Sequence, residues 1–261
     1  MDKRSRIMKI FQQDKLLVKV FENRTAMGAD AAKDIAERLK ALLAQKDEVN
    51  VIFAAAPSQN DVLAALVADS SVAWNRVNAY HMDEYIGLSK DAPQGFGNFL
   101  KAHIFGLLPF KSVNYIDITA TDPDAEAARY SKILQDNPTD VVIMGIGENG
   151  HIAFNDPPVA DFKDDKAVKP VKLDEVCRQQ QVNDGCFATL DDVPTHALTL
   201  TVPTLVKAPY LFCIVPAATK ANAVKETLHG SIDEHCPASI LRLQENAVLY
   251  LDEKSSALLD L

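Results

Sequence analysis

Four cysteines stand in 261 residues (Cys177, Cys186, Cys213 and Cys236), and no two of them form a Cys-x-x-Cys pair. That scarcity and spacing argue against a disulfide framework or a zinc knuckle and point to reduced, mostly buried thiols. No run of lysine and arginine occurs, and the formal net charge is −9. A nucleic-acid footprint is therefore missing, and an anionic ligand would need local donors, such as N–H groups at helix starts, to overcome the overall field. No apolar run approaches membrane-spanning length, and the N-terminal stretch "MDKRSRIMKIFQQDKLLVKVF" has no uninterrupted segment of signal-peptide length. The reading is a cytoplasmic protein that meets neither membrane nor nucleic acid.

What is present is ordinary for a globular chain: 48% hydrophobic and 24% charged residues. The length suits one large domain, residues 1–261, with a substantial core. Strand-like runs alternate with helix-like ones. "LLVKVF" precedes the helical spacing of "NRTAMGADAAKDIAERLKALLAQ", and "VNVIFAAA" precedes "PSQNDVLAALVAD", where Ser58 is a helix-cap candidate. "RVNAYHM" reads as a strand, "DPDAEAARYSKILQD" as a helix, and the unbroken apolar run "DVVIMGI" as a central parallel strand. "HALTLTVPTL", "APYLFCIVP", "TKANAVKETLHG" with Gly230 at its end, and "NAVLYLDE" continue the alternation. The order predicts an α/β fold with a mostly parallel sheet covered by helices on both faces. Residues 155–194, with Pro157-Pro158 and several charge clusters, carry the least pattern and are expected to form an irregular, lid-like segment.

Directly after one strand, "GIGENGHIAFNDPP" spaces Gly145, Gly147 and Gly150 as in a dinucleotide cradle. Such a cradle needs a helix opening at the third glycine, and the two prolines interrupt one there. Asp161, Asp164 and Asp165 lie near the position of a ribose acid, about 20 residues on, but in a segment with no strand signal. What remains is a strand-end loop that can present Asn149, His151 and Asp156 at the carboxyl edge of the sheet. A carboxylate near a histidine suits acid–base chemistry, although a loop histidine bonded only to backbone would fit the same residues. A second strand-end cluster, "AYHMDEYIGL", supplies adjacent acids Asp83 and Glu84. Adjacent strand side chains point oppositely, so one of the two is expected to face a ligand. A solvated acidic turn is the plainer alternative.

Together, "HMDEYIGL" and "MGIGENGHIAFNDPP" resemble the glucosamine-6-phosphate deaminase (isomerase) family, and the likeness continues through "VPTHALTLTVPTL", "PAATKANAV" and "HCPASILRLQENAVLYLDEKSSALL". The resemblance implies a Rossmann-like three-layer fold and conversion of an amino-sugar 6-phosphate to fructose 6-phosphate and ammonia, with no cofactor and no catalytic metal. It implies Asp83 as the base moving a proton between carbons, and His151, supported by Asp156 and Asn149, as the group that opens the sugar ring. It implies substrate contacts from Ser58, Gln59, Asn60, Glu84, Gly147, Arg178 and Lys220.

The sequence departs from the family pattern in several places. "AAAPSQND" has none of the glycines of the usual phosphate loop, Asn149 and Asp156 replace commoner Asp and Glu, and the usual arginine has only Arg178 and the glutamines of "CRQQQVNDGCF" as counterparts. "VADFKDDKAV" lacks the serine and basic residues of the allosteric site of some hexameric members, so no such activation is expected. The alternatives are a galactosamine-6-phosphate enzyme, a 6-phosphogluconolactonase-like hydrolase and a catalytically silent sugar-phosphate sensor. Homo-oligomerisation stays open.

Overall fold

The computed structural model describes residues 7–261; the first six residues of the charged N-terminal stretch lie outside them. In chain order the elements are β1 (Ile7–Gln13), β2 (Leu16–Phe21), α1 (Arg24–Leu43), β3 (Val49–Phe53), α2 (Asn60–Ala68), β4 (Val77–His81), β5 (Asp83–Tyr85) and α3 (Phe96–Leu100). They continue with β6 (Ser112–Asn114), α4 (Pro123–Asp136), β7 (Val141–Met144), β8 (Val168–Lys172), α5 (Glu175–Asn183), β9 (His196–Leu200), α6 (Val202–Val206), β10 (Tyr210–Val215), α7 (Ala221–His229) and β11 (Ala247–Asp252).

Eight strands form the main sheet in the order β1-β2-β11-β10-β7-β3-β4-β6. All neighbours are parallel except the β1–β2 hairpin at the edge. The alternation of side chains explains the unbroken apolar runs. Val49, Val51 and Phe53 of β3 and Val141 and Ile143 of β7 enter one core with Met27, Ile35 and Leu63 of the helices on that face. Ile52, Val142 and Met144 enter a second core with Tyr130, Leu205 and Val224 on the other. Burying both faces favours apolar residues along a central strand, and the exception in β3, Asn50, is satisfied by donating to the Pro138 carbonyl and accepting from Asn78.

Helix starts follow local chemistry. Asn23 caps α1 by accepting from the N–H of Ala26, and Asp122 caps α4 ahead of Pro123 at the first helical position. Ser58 does not cap α2. Pro57–Gln59 form a 3₁₀ turn before that helix, and the Ser58 hydroxyl accepts from its neighbour Gln59 instead.

Residues 155–194 hold two elements that hydrophobic pattern does not reveal. β8 is the edge of a small antiparallel sheet, β5-β9-β8, and an edge tolerates its Pro170 and its charged flanks. Helix α5 is polar, with Asp174 as its cap.

From β3 the chain steps outward to β4 and β6, then returns to β7 on the other side of β3 and steps away through β10 and β11. The loops after the adjacent strands β3 and β7 therefore diverge. The crevice between diverging loops is where open parallel sheets take ligands.

Candidate functional site

The crevice contains a cavity. The loop after β3 lines it with Ala54, Ala55, Ala56, Ser58 and Gln59, the loop after β7 with Gly145, Gly147 and His151, and the β4–β5 junction with Met82 and Asp83. Gln180 and Gln181 of α5, Phe96, Phe154 and Lys220 close the walls.

Asp83 and Glu84 face opposite ways. Asp83 lines the cavity, and burial, reinforced by the neighbouring Glu84 charge, pushes its carboxyl well above the ordinary range. Glu84 turns away and accepts the N–H groups of Tyr85, Phe96 and Gly97, each at 2.9 Å, tying β5 to the first turn of α3. The expectation that Glu84 contacts substrate is corrected on this ground, because both carboxylate oxygens are already committed to backbone. Burial raises the Glu84 pKa to about 7, against the pull of those three donors.

A carboxyl whose folded pKa lies above its unfolded value contributes stability at low pH, which is lost as pH rises through the folded value. Between pH 5 and 8, ionisation of Glu84 is therefore expected to withdraw up to about 3 kcal/mol, at about 1.4 kcal/mol per tenfold. Urea midpoints of wild type and Glu84→Gln across that range check this. The wild-type decline should be shallower in the variant.

A residue that sequence reasoning passed over holds Asp83 from behind. His81 is fully buried, and Ile116 N–H donates to its Nε2 at 2.9 Å, so Nδ1 carries the proton and donates to the Asp83 carbonyl at 2.9 Å. Burial lowers its pKa to about 4, so the ring is a neutral strut near neutral pH. Its one sequence signal is its place in "HMDEY".

The His151 ring lies against Gly147, where any Cβ would overlap the imidazole. Gly150 has φ +81°, and a Cβ there would sit 2.6 Å from Cys236 Sγ. Two glycines of the GxGxxG spacing are thus explained by a histidine and a left-handed turn. Gly147→Ala is expected to displace the ring and lower turnover at least about 100-fold, the lower range of an acid–base contribution. Steady-state rates, with circular dichroism to show an intact fold, check it.

His151 Nδ1 is 2.6 Å from Asn149 Oδ1 and 3.1 Å from Asp156 Oδ1. Both are acceptors, so Nδ1 carries the proton and Nε2 keeps its lone pair. Asp156 is fully buried. Burial works against its charge, but the His151 hydrogen bond and charge, with further donors Asn149 Nδ2 and Asp174 N–H, leave its pKa below the usual value. Donor atoms of His151, Asp156 and Cys177 lie within 4.8 Å of one another, the set among the described residues that could converge on a cation. A metal there would have to displace the Nδ1 proton and a thiol proton, the latter held firmly because burial and Asp156 raise the Cys177 pKa.

Lys220 sits in a 3₁₀ turn before α7, reached through Ala217 at φ +84°, whose N–H is held by Asp252. It is 4% exposed. Burial lowers its pKa, partly opposed by the charges of Asp184 and Glu148.

Residues 22–250 match the family described as glucosamine-6-phosphate isomerases/6-phosphogluconolactonase. The chain belongs to this family. A Listeria innocua protein named glucosamine-6-phosphate deaminase is 34% identical over 212 residues, covering 81% of this chain and 88% of its own. A Streptococcus pyogenes protein of the same name is 32% identical, covering 73% and 80%. Among solved structures, a monomeric glucosamine-6-phosphate deaminase superposes with a TM-score of 0.83 at 27% identity, covering 92% of this chain and 99% of that one. A Thermotoga maritima 6-phosphogluconolactonase superposes at 0.75 with 20% identity over 91% and 100%, a likeness of fold.

Within this family member, not every expected residue reaches the cavity. Asn60 is exposed at the start of α2, and Arg178 donates to the carbonyls of Leu190 and Val193, so neither lines it. Asn149 and Asp156 do not line it either; both meet His151 Nδ1 from behind. Gln180 and Gln181 take the wall where an arginine was sought. Gln59 is buried, its amide donating to the Ile214 carbonyl as well as to Ser58.

Proposed function

We propose that this protein is a glucosamine-6-phosphate deaminase that converts glucosamine 6-phosphate and water to fructose 6-phosphate and ammonia. The observation that carries the reading is the convergence on one cavity of a desolvated carboxylate, Asp83, and an imidazole whose tautomer is held by Asn149 and Asp156. His151 Nε2 takes the anomeric hydroxyl proton and returns it to the ring oxygen, opening the sugar. Asp83 then removes the proton from the carbon bearing nitrogen and delivers it to the former aldehyde carbon. The enolamine so passed through becomes a ketimine, water adds to it, and ammonia leaves.

Burial suits Asp83 to this work, because a carboxylate with a raised pKa is a stronger base than an exposed one. The neutral His81 strut fixes the backbone from which it reaches. Lys220 supplies charge for the 6-substituent, and Ser58 a hydroxyl donor.

Purified protein assayed for ammonia on glucosamine 6-phosphate and on galactosamine 6-phosphate, beside lactone hydrolysis of 6-phosphogluconolactone, tests the reading. Ammonia from the gluco epimer at the higher rate is expected. Preference for the galacto epimer would move the substrate, and faster lactone hydrolysis would overturn the proposal.

A further inference from the structure

We propose that Gln181 is the specificity residue of this cavity: its side-chain amide binds the hydroxyl on carbon 4 of the sugar and so sets the choice between the gluco and galacto epimers. The inference rests on the deaminase reading and deepens it.

Gln181 is 7% exposed and lines the cavity, yet its side-chain amide has no partner among the described residues. The two other glutamines of the wall are committed. Gln59 donates to the Ile214 carbonyl and to Ser58, while Gln180 accepts the Glu148 N–H at 2.8 Å and donates to Asp184 at 3.4 Å. A buried amide with both ends unpaired costs stability until a ligand fills them. It presents a donor and an acceptor side by side. That pair matches a hydroxyl, which also gives one hydrogen bond and accepts others.

The place of Gln181 along α5 picks out the part of the sugar it meets. Near the start of the helix, Cys177 Sγ lies within 4.8 Å of the donor atoms of His151 and Asp156. At the far end, the charge of Asp184 reaches Lys220. Gln181 follows Cys177 by one turn and precedes Asp184 by another on the same face, a rise of about 6 Å from the first and about 4.5 Å to the second. It therefore stands between the His151 end of the cavity and the Lys220 end.

In the deaminase reading His151 and Asp83 work on carbons 1 and 2, and Lys220 holds the substituent on carbon 6. The hydroxyls between them sit on carbons 3 to 5. Ring opening leaves the oxygen of carbon 5 beside His151, and carbon 3 adjoins the reacting pair. Carbon 4 is midway along the sugar, as Gln181 is along the wall, and it is the carbon at which the two epimers differ.

The test crosses a protein change with a substrate change. Wild type and Gln181→Met, similar in bulk but without an amide, are assayed for ammonia release on glucosamine 6-phosphate, its 4-deoxy analogue and galactosamine 6-phosphate, with circular dichroism to show an intact fold. In wild type, removing the 4-hydroxyl is expected to lower kcat/KM about 10- to 100-fold, the range for leaving a buried polar group unpaired. In the variant the parent substrate should lose about as much, and the 4-deoxy analogue should then react as well as the parent, because the two changes remove one shared interaction. The gluco-to-galacto ratio should move toward unity.

A variant that loses the same factor on all three substrates has lost only structure, and that result overturns the inference, as does a wild type indifferent to the 4-hydroxyl. Should Gln181→Met not fold, Gln181→Ala carries the same comparison. Wild type that releases no ammonia from any of the three sinks the deaminase reading instead, and calorimetric affinities for the same compounds then complete the cycle and judge Gln181 by the same limits.

Discussion

Asp83→Asn is expected to lower kcat for ammonia release from glucosamine 6-phosphate by about 10³-fold, within the range of general acid–base catalysis, while KM moves far less. The amide is nearly isosteric, so the cavity wall and the His81 hydrogen bond to the residue 83 carbonyl survive. What is lost is the lone pair that accepts a carbon-bound proton. The variant also separates chemistry from packing. Asp83 is buried beside Glu84 and holds its proton to an unusually high pH, so the amide should leave stability near neutrality unchanged or slightly raised. In the wild type the base must be ionised, so the rate should climb as pH rises through the elevated Asp83 pKa, and that limb should vanish in the variant. Steady-state kinetics and a pH–rate profile check both parts.

His151→Gln is expected to reduce kcat by about 10²- to 10³-fold, because His151 is the titratable residue of the loop after β7 that lines the cavity. The supporting residues should matter less and unequally. Asp156→Asn leaves Asn149 Oδ1 at 2.6 Å to hold the Nδ1 proton, so the tautomer persists and only the charge that steadies an imidazolium is removed. A loss of about 10-fold is expected for that single change. Replacing Asn149 and Asp156 together removes both acceptors, and the loss should then approach that of His151→Gln. The rates of the single and paired variants form a cycle that measures this coupling.

Much of the fold was legible because its physics is local and periodic. The central strand β7 is apolar at every position and β3 at all but Asn50, and the caps Asn23 and Asp122 announce α1 and α4. Strand β8 escaped because an edge strand beside charged turns has no apolar run to display, and Pro170 argues against a strand anywhere but at an edge. The two loops that build the cavity were legible from their polar residues at strand ends.

The direction of each side chain was not legible to the same degree. Alternation in a strand separates Asp83 from Glu84, but nothing local shows that Arg178 bonds carbonyls while Gln180 and Gln181 face inward. The purpose of the glycines was also hidden. Their spacing suggests an approach to a ligand, whereas Gly147 makes room for a ring four residues ahead and Gly150 turns left-handed against Cys236. Such contacts exist only once the loop is folded against α7 and the turn that follows it.

The most direct test follows the products of glucosamine 6-phosphate by NMR with wild type and Asp83→Asn protein side by side. Fructose 6-phosphate and ammonia formed in equal amounts by the wild type, and at about a thousandth of that rate by the variant, are expected. Wild-type protein that binds the amino-sugar phosphate yet releases no ammonia, or a variant as fast as wild type, would contradict the assignment of Asp83 and His151 as a deaminase pair.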